Sequence, residues 1–135
     1  MPRAGQILFH KHFIYEDKTT GKKLVVALNT CGNDEFCLVA KTTSNNKHYR
    51  WAHPGCNSNK RCFCIEPECE QWFDIQTFVQ LDNFYPVNVE ILLNNKQISF
   101  VGNMTENCFA VFKRCLRKFK QDIPTGYWAQ ICQSS

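Results

Sequence analysis

The sequence contains no apolar run that approaches the ~20 residues needed by a membrane-spanning helix. Its beginning has no signal-peptide core, because the apolar segment Ile7 to Phe9 is followed at once by His10, Lys11 and His12. The net charge of +4 is too small to identify a partner by itself. These absences predict a soluble, cytoplasmic protein with no membrane partner.

The size and charge distribution are more informative than the net charge. A chain of 135 residues that is 44% hydrophobic fits a single domain, residues 1–135, with a sizeable core. Its basic residues are concentrated in four segments, and local patches of this kind suit polyanions. The segments are Lys22-Lys23, Lys41 to Arg50, Lys60-Arg61 and Lys113 to Lys120.

Short runs of β-forming residues dominate the chain, without the strand–helix alternation of parallel sheets. They predict a mainly β fold with some α structure: a small antiparallel β-barrel over about residues 5–102. The expected strands are Gln6 to Ile14, Leu24 to Leu28, Phe36 to Lys41, Gln71 to Leu81, and a hairpin of Val87 to Leu93 with Gln97 to Val101.

One amphipathic helix is expected after the barrel, over about residues 105–120. Thr105 is a suitable N-cap. An apolar stripe follows, formed by Cys108, Phe109, Phe112, Cys115, Leu116 and Phe119. Pro124 and Gly126 end the periodic pattern, which leaves residues 121–135 as a tail that packs on the barrel or on a second subunit.

The segment Gly21 to Ser44 carries the strongest functional signal. Its two apolar runs are separated by a Gly-Asn-Asp turn and predict an antiparallel hairpin. Lys22 and Lys23 would then face Thr42 to Ser44 at one end, where cations beside hydroxyl groups suit a phosphate. Lysines and threonines also border many ordinary solvated strands, so the spacing alone leaves both interpretations open.

Two further polar patterns, one in the first strand and one in residues 42–61, are each open to more than one interpretation. Alternation in the first strand places Leu8, His10, His12 and Ile14 on one face, where the imidazoles suit metal binding, proton transfer or plain solvent contact. Residues 42–61 predict a long basic loop. Its Lys47, His48, Tyr49, Arg50 and Trp51 suit single-stranded nucleic acid, unless the rings fold back onto the barrel.

The chain has nine cysteines, which is a large number for its length. Because the number is odd, a complete set of disulfides within the chain would leave at least one thiol over, which argues against a simple disulfide framework. Cys56, Cys62, Cys64 and Cys69 are clustered, but their spacing departs from that of structural zinc sites. Zinc and a disulfide remain alternatives to the favoured reading, in which the thiols are reduced and inert. Cys31 and Cys37 flank the hairpin turn, and Cys108 and Cys115 are assigned to the core.

Five segments in the same order resemble the MazF/PemK/Kid family of ribonuclease toxins. In that family they are a Gly-hydrophobic start, a G-x-R-P-hydrophobic run, a V-x-x-x-T-S segment, a strand ending in hydrophobic-Asp, and the approach to the last helix. The counterparts here are Gly5 to Ile7, Gly21 to Val26, Val39 to Ser44, Phe78 to Asp82 and Phe100 to Thr105.

The resemblance implies an SH3-like barrel that cleaves single-stranded RNA without a metal or other cofactor. It implies a homodimer and a cognate antitoxin protein whose peptide covers the RNA groove. Lys23 and Thr43 occupy the catalytic positions, although the family has Arg rather than lysine at the first. The residues expected to bind RNA are Lys22, Ser44, Lys47, His48, Arg50, His10 and His12.

Two other functions remain open at this point. A barrel without the family's arginine would bind RNA or a protein without cleaving it. A zinc-stabilised interaction module would instead depend on the segment Cys56 to Cys69.

Overall fold

The computed structural model describes residues 3–14, 17–30, 36–67, 72–73 and 75–133. The fold is mainly β with some α, as the sequence predicts. The strands are β1 (Gln6–Ile14), β2 (Thr20–Ala27), β3 (Phe36–Thr43), β4 (Gly55–Asn57), β5 (Cys62–Ile65), β6 (Thr77–Gln80), β7 (Tyr85–Asn88) and β8 (Ile98–Asn103). The helices are α1 (Val89–Asn94), α2 (Glu106–Arg117) and α3 (Thr125–Gln133).

The eight strands form one antiparallel sheet in the order β4-β5-β6-β3-β2-β1-β8, with β7 paired to β3 outside this path. The sheet is not closed into a barrel, so the predicted closure is wrong. The long strand β3 divides its pairing, because Phe36 to Val39 pair with β7 whereas Thr42 and Thr43 pair with β6. The sheet therefore branches at β3.

Both faces of the central strands are buried. Along β2, Val26 belongs to the apolar cluster that also contains residues of α2 and α3, whereas Val25 and Ala27 belong to a second cluster that contains Val89 of α1. A strand buried on both sides reads as a continuous apolar run. The run Leu24 to Leu28 therefore reflects two separate packing layers instead of the single interior of a small barrel.

The predicted hairpin of Val87 to Leu93 with Gln97 to Val101 is wrong. Residues of its first half form α1, which begins after Asn88, whose side chain accepts a hydrogen bond from the Ile91 N–H at 3.1 Å. This N-cap satisfies a backbone donor that a strand would have paired with its neighbour. β8 pairs with β1 instead.

Helix α2 confirms the prediction for residues 105–120, and the Thr105 side chain caps it by accepting from the Cys108 N–H at 3.2 Å. The segment interpreted as a tail contains α3, whose Ile131 is buried in the main core. No helix in the described ranges is both long and apolar enough to cross a membrane.

A disulfide between Cys56 of β4 and Cys115 of α2 joins the edge of the sheet to this helix. The interpretation of Cys56 as a reduced thiol is therefore wrong, whereas Cys115 lies in the core as predicted. Their separation of 59 positions in the chain left no local spacing that would have predicted the pair.

Candidate functional site

A groove lies at the end of the β2–β3 pair and has a volume of about 520 Å³. Both predicted catalytic residues and two of the predicted RNA-binding residues line it. Its walls consist of Lys22, Lys23, Leu24, Thr42, Thr43, Ser44, Asn45, Trp72, Phe73, Ile75 and Thr77.

The register of the two strands explains why these residues meet. Val25 lies opposite Lys41, so the residues before Val25 and after Lys41 fall at the same end of the pair. The Thr42 hydroxyl donates to the Leu24 carbonyl at 2.7 Å and holds the two chains together there. The predicted proximity of the lysines and the Thr-Thr-Ser segment is thus confirmed, while its chemical role stays a prediction.

Lys23 is half-buried, and its ammonium group donates to the Thr42 carbonyl at 2.9 Å. Burial lowers the pKa of Lys23 below its ordinary value, and the nearby charge of Lys41 makes a smaller contribution in the same direction. The neighbouring Lys22 is exposed. The groove therefore contains one solvent-facing ammonium group and one partly desolvated group that gives up its proton more readily.

Thr43 is half-buried and Ser44 is exposed. The Thr43 hydroxyl accepts from the Asn45 N–H at 3.1 Å, which fixes the oxygen while its own hydrogen can be donated to a second acceptor. A phosphate oxygen is an acceptor of the kind that this hydroxyl and the lysines would bind.

His10 and His12 do not share a face as predicted, because the register of β1 shifts between His10 and Phe13. His10 is buried at 7% exposure, packs edge-on against Phe13, and lies opposite Lys23 in the β1–β2 register. His12 is exposed, and its ring contacts the Gln97 side chain. Burial and the charge of His12 lower the pKa of His10. Neither imidazole is among the groove-lining residues.

The predicted loop of residues 42–61 contains two short 3-10 helices and β4. Lys47, His48 and Arg50 are exposed, but none of them belongs to the described lining of the groove. Tyr49 folds back, because its ring stacks on Phe78 with 5.0 Å between centroids. Its hydroxyl also accepts from the Gln80 side chain at 3.0 Å. The predicted nucleic-acid loop therefore contributes one of its rings to a small core.

Trp51 is 92% exposed, so the two aromatic residues of this loop have opposite environments. The cation Arg61, from the basic segment that follows, pairs with Asp122 at 2.5 Å and lies over the Phe119 ring. This arginine joins the sheet to the helical end of the chain, which is a structural role that the sequence pattern did not distinguish from polyanion binding.

The described members of the cysteine cluster do not assemble the alternative zinc site. Cys56 is bonded to Cys115 in the disulfide, and Cys69 lies outside the described residues. Cys62 and Cys64 are buried, and desolvation raises the pKa of each thiol to about 11, which keeps them protonated and poor as metal ligands. Within the part of the chain that the structure describes, no group of three or more metal-binding side chains occurs. Cys31 of the predicted Cys31–Cys37 pair also lies outside that part.

Trp72, Phe73 and Ile75 line the groove and were not identified from the sequence. They were assigned to a strand over Gln71 to Leu81, but β6 begins only at Thr77. The segment before a strand carries no periodic pattern that relates it to lysines some 50 positions earlier in the chain. A tertiary contact was needed to find them.

No protein-family model matches the sequence, and no curated protein matches it. The resemblance to the ribonuclease toxins therefore depends on the order of short motifs.

Proposed function

We propose that the groove between β2 and β3 binds the phosphate of single-stranded RNA, and that the protein is a metal-independent endoribonuclease of the MazF/PemK-like toxin type. One observation carries the proposal: Lys22 and Lys23 of β2 line a single groove with Thr43, which ends β3, and Ser44, which follows it. Two ammonium groups and two hydroxyl groups supply charge and directional donors for one phosphate.

Cleavage without a metal requires three events. The RNA 2′-hydroxyl loses its proton and attacks phosphorus, the charge that develops on the phosphate oxygens is stabilised, and the leaving 5′-oxygen gains a proton. The products are a 2′,3′-cyclic phosphate and a 5′-hydroxyl. Lys22 supplies fixed charge, and the Thr43 hydroxyl donates to a phosphate oxygen. Lys23, an ammonium group whose pKa is lowered, gives a proton to the leaving 5′-oxygen, and water takes up the proton of the 2′-hydroxyl.

A second candidate function is RNA binding without cleavage. It is favoured by the bond between the Lys23 ammonium group and the Thr42 carbonyl, which engages the group that catalysis needs. The described lining of the groove also contains neither a histidine nor a carboxylate to act as a second acid or base. This candidate keeps every phosphate contact and omits proton transfer.

The partners implied by the resemblance belong to the same proposal. A cognate antitoxin peptide that covers the groove would block phosphate access, and a homodimer would present two such grooves to one RNA. The cytoplasmic location enters the proposal on the resemblance and the composition. The open sheet supports only the coarser mainly β description.

The test is incubation of purified protein with a long single-stranded RNA in EDTA, followed by mapping of the new ends. We expect discrete cuts with 2′,3′-cyclic phosphate ends, which Lys23→Ala and Thr43→Ala both abolish. Lys118→Ala is the matched control, because this exposed lysine lies at the end of α2. Cuts that persist in Lys23→Ala would refute the site. RNA binding without any cuts would establish the second candidate.

A further inference from the structure

The indole ring of Trp72 forms part of the groove wall that also contains Lys22 and Lys23. It is 36% exposed, and the neighbouring Ile75 is 58% exposed. One part of the groove is thus cationic and hydroxyl-bearing, while another part is aromatic and apolar. A ligand that fills both parts must combine an anionic group with a flat or apolar group.

The backbone of β8 holds the indole in position. Its Nε1–H donates to the Asn103 carbonyl at 2.9 Å. A Cβ placed on Gly102 would lie 2.2 Å from the ring atom Cε2, so the ring occupies the space where any other residue would begin its side chain. The ring is therefore oriented before a ligand arrives, and binding does not incur the cost of ordering it.

We propose that Trp72 is a stacking platform for an unpaired base whose phosphate is held by Lys22 and Lys23; this inference rests on the RNA-binding groove proposed above. The ligand class is a single-stranded nucleotide segment, because it joins a planar base to an anionic phosphate through a sugar. The groove volume of about 520 Å³ lies in the range of ordinary ligand sites. Aromatic stacking accepts every base, so the platform adds affinity without a strict sequence preference.

The platform differs from the one that the sequence suggests as one of two alternatives. Trp51, in the basic loop, is 92% exposed but is absent from the described groove lining. A base stacked on Trp51 would therefore lie outside this groove and would not share the phosphate contacts of Lys22 and Lys23. Trp72 has both the ring and the adjacent cations. Loss of the Trp72 ring should therefore remove the preference for the probe that carries bases, whereas loss of the Trp51 ring should not.

The test compares two probes of ten nucleotides that lack the 2′-hydroxyl and therefore cannot be cleaved by the proposed reaction: oligothymidylate and an abasic oligomer with the same phosphates. We expect wild type to bind oligothymidylate roughly 10- to 100-fold more tightly than the abasic probe, the range that one stacked base contributes. Trp72→Leu should remove that difference and leave the affinity for the abasic probe unchanged. Trp72→Phe should restore part of it.

Gly102→Ala provides a second variant, because it displaces the indole without removing it. It should weaken binding of oligothymidylate, and circular dichroism checks the fold of each variant. An unchanged preference in Trp72→Leu, or a preference lost in Trp51→Leu instead, would overturn the platform while the RNA groove stands. Binding of neither probe, with no cleavage of RNA, would overturn both proposals.

Discussion

The disulfide between Cys56 and Cys115 should make a large contribution to stability. It closes a loop between residues 59 positions apart, and the chain-entropy relation gives about 4 kcal/mol for the unfolded-state entropy removed by a loop of this size. For a domain of 135 residues, this difference corresponds to a melting temperature lowered by roughly 10–15 °C on reduction. The fold should survive, because the cluster that contains Cys115 has many other buried members.

Urea unfolding followed by circular dichroism, with and without a reductant, measures this contribution. Cys56→Ala with Cys115→Ala should match the reduced protein and lose its response to the reductant. Cys132→Ala, at an exposed free thiol, is the matched control and should keep the full response. Peptide mapping of the oxidised protein should recover Cys56 and Cys115 in one linked fragment. An unfolding midpoint that is identical with and without reductant would refute the reasoning.

Two further predictions concern buried polar groups. Burial lowers the pKa of His10 below its ordinary 6.5, so the unfolded chain binds the proton more tightly and stability should fall as the pH drops through that value. In urea unfolding, His10→Gln should reduce the slope of the free energy of unfolding against pH by at most about 1.4 kcal/mol per pH unit. An unchanged slope would contradict the lowered pKa of His10. The side chain of Asn29, fully buried, accepts from the Leu38 N–H at 2.8 Å and donates to the Gln130 side chain at 2.7 Å. Asn29→Ala should lower the free energy of unfolding by about 1–3 kcal/mol, because it leaves a buried donor unpaired, and a loss below about 0.5 kcal/mol would count against this role.

The parts of the fold that follow from local chemistry could be predicted from the sequence. The β2–β3 hairpin has two apolar runs around a turn, and α2 has both a capping threonine and an apolar stripe. Each signal lies within a short stretch, so its prediction does not depend on knowing a distant contact. The pairing of Lys22 and Lys23 with Thr42 to Ser44 follows from the hairpin geometry alone.

The predictions from sequence are wrong where a distant contact or a single helix N-cap determines the local structure. Val87 to Leu93 has strong β-forming residues, yet the Asn88 cap begins a helix there. Strict alternation placed His12 beside His10, but one irregularity in β1 moved Phe13 into the same apolar cluster as Leu8. Closure into a barrel failed for a related reason, because pattern reasoning does not reveal that one strand changes its partner along its length.

The end of the β2–β3 pairing explains where the groove forms. The β2–β3 register ends at Val25 and Lys41, and Thr42 and Thr43 then pair with β6. Two carbonyl groups near this divergence are satisfied by side chains: Thr42 donates to the Leu24 carbonyl, and Lys23 donates to the Thr42 carbonyl. Buried carbonyls need such partners when strands separate.

In the proposed function, the Lys23 ammonium group would therefore have two competing acceptors, the Thr42 carbonyl inside the protein and the RNA phosphate. To displace this bond, the phosphate must form a stronger hydrogen bond with the ammonium group than the neutral carbonyl does. A charged phosphate oxygen at short range forms such a bond. Exposed Lys22 has no such bond among the described contacts and can meet the phosphate first. Binding that begins at Lys22 and then draws Lys23 from its carbonyl would break one of the two side-chain bonds that join β2 to β3 at this end, and would leave the bond from Thr42 to the Leu24 carbonyl in place.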